Sequence, residues 1–387
     1  FTAEQLEIRA LARDFAANEI APHAEAWDAD RCLPDGLFRS LAELGFMGMR
    51  VPEQYGGLDL EIPTYLLVLE EIARADASVA LSVAIHNGPV PALLMAHGSE
   101  TQKEAWLPRL ASGEILGAFA LSESDAGSDD AALEATATRV GEGWMLNGGK
   151  AWVTNGGRAG LVILFARIPE AGIGCFAVDP TVAGYSIGER VTTMGHRASE
   201  TVTVELRDVL VPEAGLIGEP GRGMAYAPES LVLGRSGVAA QALGIAASAL
   251  EHATRYALER EQFGRTLADF GATQAKLANM AARIAGARAA VHEVGRRLEN
   301  CRTGGVDIGT GSDDLGARAA GAKLLASETA MYAADEAVQI FGGYGYMRDY
   351  PVERLMRDAK GTEIFEGTSE IMRVVIARAI LEAARDS

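Results

Sequence analysis

Between residues 116 and 224 the chain drops helical periodicity for a period of two, and near 225 it takes helical periodicity up again. Thr201-Val-Thr-Val-Glu-Leu206 puts Val202, Val204 and Leu206 on one face of a strand, and Leu133-Glu-Ala-Thr-Ala-Thr138 alternates in the same way. Trp144-Met-Leu-Asn-Gly-Gly-Lys150 sets Asn147-Gly148 between two strand candidates, which is a hairpin signal. No helices interleave regularly with these strands. A Rossmann-type parallel sheet is therefore excluded, and an antiparallel β-barrel or sandwich is expected. The flanks are helical. Thr2-Ala-Glu-Gln5 reads as a capping box, Leu11 and Phe15 share a helix face, and residues 63–75 and 100–111 continue as helices. Pro34-Asp-Gly36 and Pro52-Glu-Gln-Tyr-Gly-Gly57 interrupt them. Beyond the strands, residues 226–260, 271–301, 315–341 and 368–384 are long, Ala-rich and periodic, as in a four-helix bundle, with a polar Gly/Asp-rich loop at 303–314. The expected fold is mainly α with an inserted β-domain: a helical domain over 1–115, a β-domain over 116–224 and a helical bundle over 225–387.

A formal charge of −18 on 387 residues repels a phosphate polyanion, so no nucleic-acid partner is expected; an anionic cofactor would need a local basic site. Cys32, Cys175 and Cys301 are far apart, and neither a Cys/His cluster nor HExxH occurs, so no metal is expected. No run of about 18 apolar residues occurs, and the N-terminus reads as an amphipathic helix instead of a signal peptide. The expected setting is cytoplasmic and reducing, with no membrane partner. GxGxxG, GxxxxGK[ST] and GxSxG are absent; Gly342-Gly343-Tyr-Gly345 follows a helix, the wrong context for a dinucleotide loop.

Four stretches carry chemistry. In Ala118-Phe-Ala-Leu-Ser-Glu-Ser-Asp-Ala-Gly-Ser-Asp129 an apolar strand runs into small and hydroxyl residues, whose backbone can approach a ligand and cradle an anion; it also reads as a plain polar loop. In Lys150-Ala-Trp-Val-Thr-Asn-Gly157, Trp152 and Thr154 share one side of a strand, which suits a flat heteroaromatic ring or simply a core indole beside an exposed threonine. Gln339-Ile-Phe-Gly-Gly-Tyr-Gly-Tyr-Met-Arg-Asp349 ends a helix at paired glycines; a helix cap accounts for the glycines and leaves Gln339 and the Tyr/Arg cluster unexplained. In Arg357-Asp-Ala-Lys-Gly-Thr-Glu-Ile-Phe-Glu-Gly-Thr-Ser-Glu370, Glu366 follows Phe365 just before a helix. An apolar wall would desolvate that carboxylate and raise its pKa toward neutrality, fitting it to remove a carbon-bound proton; the alternative is an ordinary helix-start carboxylate.

In order and spacing these stretches resemble the acyl-CoA dehydrogenase family over nearly the whole chain. Two patterns carry the resemblance. One is Leu121-Ser-Glu-x-x-Ala-Gly-Ser-Asp129. The other runs from Gln339 through Gly342-Gly343-x-Gly345-Tyr346 to Asp349, Arg354 and Asp358, then Arg357-Asp-Ala-Lys360 into Phe365-Glu-Gly-Thr-Ser-Glu370. Val238-Ala-Ala-Gln-Ala-Leu-Gly244 and Tyr256-Ala-Leu-Glu-Arg-Glu-Gln-Phe-Gly264 look most like short-chain and bacterial members.

The resemblance implies FAD held without a Rossmann fold, in a homotetramer whose neighbouring subunit completes the site. It places Phe119, Leu121, Ser122, Gly127 and Ser128 along the flavin, with Trp152, Val153 and Thr154 beside it. Arg260, Phe263, Gln339, Gly342 and Gly343 would reach the cofactor across a subunit interface, and Thr368, Ser369 and Glu370 would lie near its diphosphate arm. Ser128, Leu233, Arg235 and Gly367 would meet the acyl-CoA substrate. Glu366 would be the catalytic base that takes the α-proton while the β-hydride passes to flavin N5, giving the trans-2-enoyl thioester, with an electron-transfer flavoprotein as acceptor. Some members carry the base near position 234; this chain has Gly234 there and keeps Glu366.

The chain departs from the family pattern at Ser124-Asp125, Gly271, Gly361 and the long 304–314 loop. Gly361 replaces a larger apolar residue near the base. That predicts room for branched or medium acyl groups, unless a neighbouring side chain refills the space and leaves a short-chain preference. A branch acting on acyl carrier protein thioesters and a catalytically silent homologue are the alternative functions; loss of Glu366 or Trp152 would mark the latter, and both are present.

Overall fold

The computed structural model describes residues 1–304 and 314–385. The loop expected at 303–314 falls outside the described residues over 305–313. The N-terminal helices are α1 (Ala3–Phe15), α2 (Ala24–Asp30), α3 (Asp35–Glu43), α4 (Ile62–Ala75), α5 (Ala77–Asn87), α6 (Pro89–His97) and α7 (Glu100–Ala111). The Thr2/Gln5 capping box forms. Ala12, Ala16 and Ile20 are buried and Phe15 packs against the same core, while Leu11 stays exposed. Polar contacts add to that docking, because Arg9 and Arg13 both bond the buried carboxylate of Glu71 on α4. Pro34 opens α3 as its N-cap, and α5 and α6 fill a stretch of sequence for which no elements were expected.

The strands are β1 (Leu116–Ala120), β2 (Thr136–Val140), β3 (Gly143–Thr154), β4 (Ala159–Ile168), β5 (Gly172–Val178), β6 (Tyr185–Arg190), β7 (Thr201–Pro212) and β8 (Leu216–Ile217). They form one sheet in the order β6-β7-β3-β2-β4-β5-β8, with β1 paired to β4. Most pairings are antiparallel, as expected; β1 on β4 is parallel, and β2 touches β4 in parallel at Thr136. The Gly-Leu-Val-Ile-Leu-Phe-Ala run of β4 is buried on both faces. Leu161, Ile163 and Phe165 pack with Val90, Leu94 and Leu107 of the helical domain, and Val162, Leu164 and Ala166 pack with Trp144, Phe176 and Val204 inside the sheet. β4 thus joins the sheet to the N-terminal helices.

The hairpin expected at Asn147-Gly148 is not there. Both residues lie inside β3, and the β2–β3 turn falls at Gly141-Glu142. Gly148 serves a bulge: its φ is 130°, and a Cβ on it would stand 2.7 Å from the Ala135 backbone.

The C-terminal helices are α8 (Gly223–Glu259), α9 (Gly271–Gly304), α10 (Leu315–Phe341), α11 (Pro351–Thr362) and α12 (Ser369–Arg385); α11 had no counterpart in the sequence expectation. Alanines bring α8 and α10 close together, with Ala242, Ala246, Ala249 and Ala253 facing a core that includes Ala326, Ala330, Ala333 and Ala337. Gly244 lets α4 pass, since a Cβ there would stand 2.4 Å from Glu70 O. Two stretches, Ala77–His97 and Gly223–Glu259, are long and apolar enough to cross a membrane, but each has 83% of the qualifying window buried inside the protein. On α12, Ile380 and Leu381 stay exposed.

Candidate active site

β1 ends at Ala120, and the chain turns through Leu121-Ser122-Glu123 into a tight reversal in which Glu123 and Ala126 exchange backbone hydrogen bonds. A buried ion pair fixes this turn. Lys150 Nζ, on β3, donates to Leu121 O at 3.0 Å and to Glu123 Oε1 at 2.7 Å, while the Glu123 carboxylate accepts from the Glu134 and Ala135 amides. Such a pair is tolerable out of water only when its remaining hydrogen-bonding capacity is met, as it is here. The tip of the turn carries Ser124 and Asp125 into solvent, so the departure noted at these positions puts its charge in water.

β3 slips register between Lys150 and Val153, which turns Trp152 outward at φ 55°, 52% exposed, while Val153 is buried in the sheet. Opposite, α11 runs into the loop that carries Glu366. Glu366 has φ 56° and Gly367 φ 96°. A left-handed conformation at a non-glycine residue is costly and is held here by the surrounding packing. Lys323, fully buried on α10, donates to Gly367 O at 2.6 Å; Arg235 Nε on α8 points at Glu366 O at 3.4 Å.

These elements enclose a cleft of about 320 Å³ lined by Phe119, Leu121, Ser122, Gly127, Ser128, Trp152, Thr154, Arg235, Glu366, Gly367 and Thr368, all expected from the sequence. Leu81, Ile85, Asp130, Leu231, Ile364, Phe365 and Ile371 also line it. Glu366 Oε2 lies in the cleft wall out of solvent and has no hydrogen-bond partner among the described residues. Burial pushes its pKa up to about 7 against the opposing pull of Arg235 and Lys323. The Lys323 ammonium is itself lowered to about 8 by burial. A methyl on Gly234 would meet Glu366 Oε2 at 2.6 Å, so positions 234 and 366 address the same point in space.

The other expected site residues divide. Arg260, Gly342 and Gly343 line a second cleft of about 500 Å³ with Tyr256, Phe341 and Tyr344, which shares no lining residue with the first. Phe263 is 94% exposed at φ 55°, and Gln339 is exposed on the last turn of α10, just before Gly342. Leu233 is not in the Glu366 cleft; it lines a separate cavity with Arg50 and Met95, on a different side of α8. Ser369 is buried, its Oγ without a partner among the described residues, and Glu370 is exposed. The extra room expected at Gly361 is absent, because a Cβ there would lie 2.9 Å from both His196 Nδ1 and Phe365 Cε1. Sequence reasoning missed Lys323, a buried cation in an Ala-rich helix. It also missed Leu81 and Ile85, whose helix is buried all round and offers no polar face to orient it.

Residues 2–114, 118–209 and 221–381 match, in turn, the models of the acyl-CoA dehydrogenase N-terminal, middle and C-terminal domains. The chain is 42% identical over 384 residues to an acyl-CoA dehydrogenase of Bacillus subtilis, covering 98% of each. Butyryl-CoA dehydrogenase from Megasphaera elsdenii superposes with a TM-score of 0.93 at 37% identity, over 98% of this chain and 99% of that one. A chain from a structural study of the electron transferring flavoprotein of Acidaminococcus fermentans matches equally, with a TM-score of 0.93 at 38% identity and 98% of each chain covered. The chain belongs to the acyl-CoA dehydrogenase family. It is an FAD-dependent oxidoreductase of acyl-CoA thioesters.

The residues fit that cofactor. Gly127, Gly342 and Gly343 leave open space beside their backbones, Trp152 offers an indole wall, and Ser122, Ser128, Thr154 and Thr368 supply hydroxyls along the cleft. The pKa of Glu366 also fixes a stability signature. The folded protein resists ionising this carboxylate, so Gln and protonated Glu should be equivalent at pH 4.5, and the wild type should lose ground as pH rises through about 7. Glu366→Gln is expected to raise the thermal midpoint at pH 8, by on the order of 2–3 kcal/mol of stability, with little change at pH 4.5. Melting curves at matched FAD content check this.

Proposed function

We propose that Glu366 is the base that removes the α-proton of a short acyl-CoA thioester, in oxidation of the Cα–Cβ bond. The observation that carries this is the buried Glu366 Oε2 in the wall of a cleft, without a hydrogen-bond partner among the described residues and with its pKa raised to about 7. A base tuned close to the working pH combines a useful ionised fraction with a useful driving force. FAD, when bound, supplies the two-electron acceptor for the β-hydrogen. Phe365 and Ile364 line the cleft beside the carboxylate, and Arg235 and Lys323 address two successive carbonyls of the loop, Glu366 O and Gly367 O. Among the described residues the Glu366 N–H has no acceptor, which leaves it to hydrogen-bond the thioester carbonyl and stabilise charge as the α-proton departs. Phe119, Leu121, Ser122, Trp152 and Thr154 hold the flavin ring, and Ser128 and Arg235 meet the CoA portion. The filled space at Gly361 and the likeness to butyryl-CoA dehydrogenase support a short acyl group. Electrons pass on to an electron-transferring flavoprotein, a reading that the Acidaminococcus fermentans match supports.

The assembly is a homotetramer in which the cleft at Arg260, Gly342 and Gly343 receives the cofactor arm from a neighbour's Glu366 cleft. The separation of the two clefts, together with the exposure of Phe263, Tyr346, Ile380 and Leu381, supports it.

Glu366→Gln should keep its flavin and lose reduction by butyryl-CoA by about 10²–10⁴-fold in anaerobic stopped flow, since an amide cannot take the proton. Reduction at the wild-type rate would remove Glu366 from the role. The wild-type rate should fall as pH drops through about 7, where the carboxylate takes up its proton. Light scattering should show a tetramer, and Arg260→Ala should lower FAD content; a monomer with full flavin occupancy would contradict the shared site.

A further inference from the structure

We infer that His196, on the loop between β6 and β7, is a positioning residue for the base: its imidazole takes the place of the side chain missing at Gly361 and holds the Phe365–Glu366 turn. The inference rests on Glu366 being the base. His196 is 5% exposed and is one of the few non-glycine residues at positive φ, 51°. Bulky side chains rarely adopt that conformation, so the surrounding contacts must hold it.

Three elements do so. The His196 N–H donates to Asp358 Oδ1 on α11 at 2.6 Å. Gln241 Nε2 on α8 donates to Ala77 O at 2.7 Å and lies 2.9 Å from His196 Nε2. The Ala77 carbonyl can only accept, which fixes the amide orientation; His196 Nε2 is then the acceptor, and the proton sits on Nδ1. The third contact is the ring itself. It stands edge-on to Phe365, with centroids 5.2 Å apart and planes at 83°, and its Nδ1 lies 2.9 Å from where a Gly361 Cβ would be.

Position 361 therefore has room for a side chain or for this imidazole, and not for both. Phe365 lines the cleft and immediately precedes Glu366, so the ring that backs Phe365 fixes both the direction and the dryness of the base. The surrounding charges favour a neutral ring. Burial and the Arg357 guanidinium lower its pKa to about 3, against a weaker pull from Asp28. The imidazole is thus a wedge and not an acid or base.

The test is a cycle of wild type, His196→Ala, Gly361→Ile and His196→Ala/Gly361→Ile, read by stopped-flow flavin reduction with butyryl-CoA across pH and by thermal midpoints with and without FAD. Gly361→Ile should slow reduction roughly ten- to a hundredfold by displacing Phe365 and Glu366. His196→Ala should let water behind Phe365 and move the pH midpoint of reduction down by about one unit. In the double variant isoleucine refills the space. Its rate should return to within about threefold of wild type, with strong coupling in both rate and melting. An unshifted midpoint in His196→Ala, or penalties that simply add, would overturn the inference. Gly361→Ala decides the matter if His196→Ala does not hold FAD. Alanine favours the helix locally, so slowed reduction reports the wedge, and an unchanged rate and midpoint overturns it. Glu366→Gln run alongside separates the two readings: reduction at the wild-type rate there would fail the base, while coupling in FAD-free melting would still report the wedge.

Discussion

Everything around the cleft depends on keeping the carboxylate of Glu366 out of water without neutralising it. An unpaired buried carboxylate is destabilising, and the protein tolerates it by holding the chain just beyond it. Lys323 grips Gly367 O, Arg235 reaches toward Glu366 O, and both cations lie near enough to moderate the rise in pKa without closing an ion pair on Oε2. A direct salt bridge would have returned the carboxylate to an ordinary acid and removed it from use at neutral pH. Gly234 completes the arrangement by leaving the space into which Glu366 projects.

The three parts of the chain meet at this point for physical reasons that can be named. The strand β4 is apolar on both faces and joins the sheet to the helical layer of α6 and α7. The Lys150–Glu123 pair then fixes how β1 leaves that sheet, and hence where Ser122, Gly127 and Ser128 stand. On the other side, Arg357 bonds both oxygens of Asp28 on α2 as well as Glu353, and its neighbour Asp358 accepts from His196. The Arg357-Asp358 pair of the sequence pattern is therefore structural: it ties α11, and with it the Glu366 loop, to the N-terminal domain and to the loop between β6 and β7.

Much of this was legible in the sequence, and the reasons differ by residue. The change in period marked the sheet, and the long Ala-rich helices showed themselves through 3.6-residue periodicity. At Glu366 the flanking apolar residue and glycine fitted an ordinary helix-start carboxylate as well, and the resemblance to the family decided for a base. Asn147-Gly148 misled because the pair that makes a hairpin turn also makes a bulge, and only pairing with β7 decides between them. Leu233 misled because adjacent residues on a helix face different cavities, and Leu231 and Arg235 took the side of the cleft. Lys323, His196 and the helix Ala77–Asn87 lay beyond reach of local pattern. Their roles come from contacts across 44 residues or more, as with Lys323 and Gly367.

The central claim is that Glu366 sits in a dry wall and ionises near neutrality. The most direct measurement is the carboxyl band of Glu366 itself, taken as an infrared difference between the FAD-loaded wild type and Glu366→Gln and titrated with pH. A protonated-carboxyl band that disappears with a midpoint near 7 is the predicted result. A midpoint at the ordinary value for a solvated glutamate, about 4.3, would contradict it.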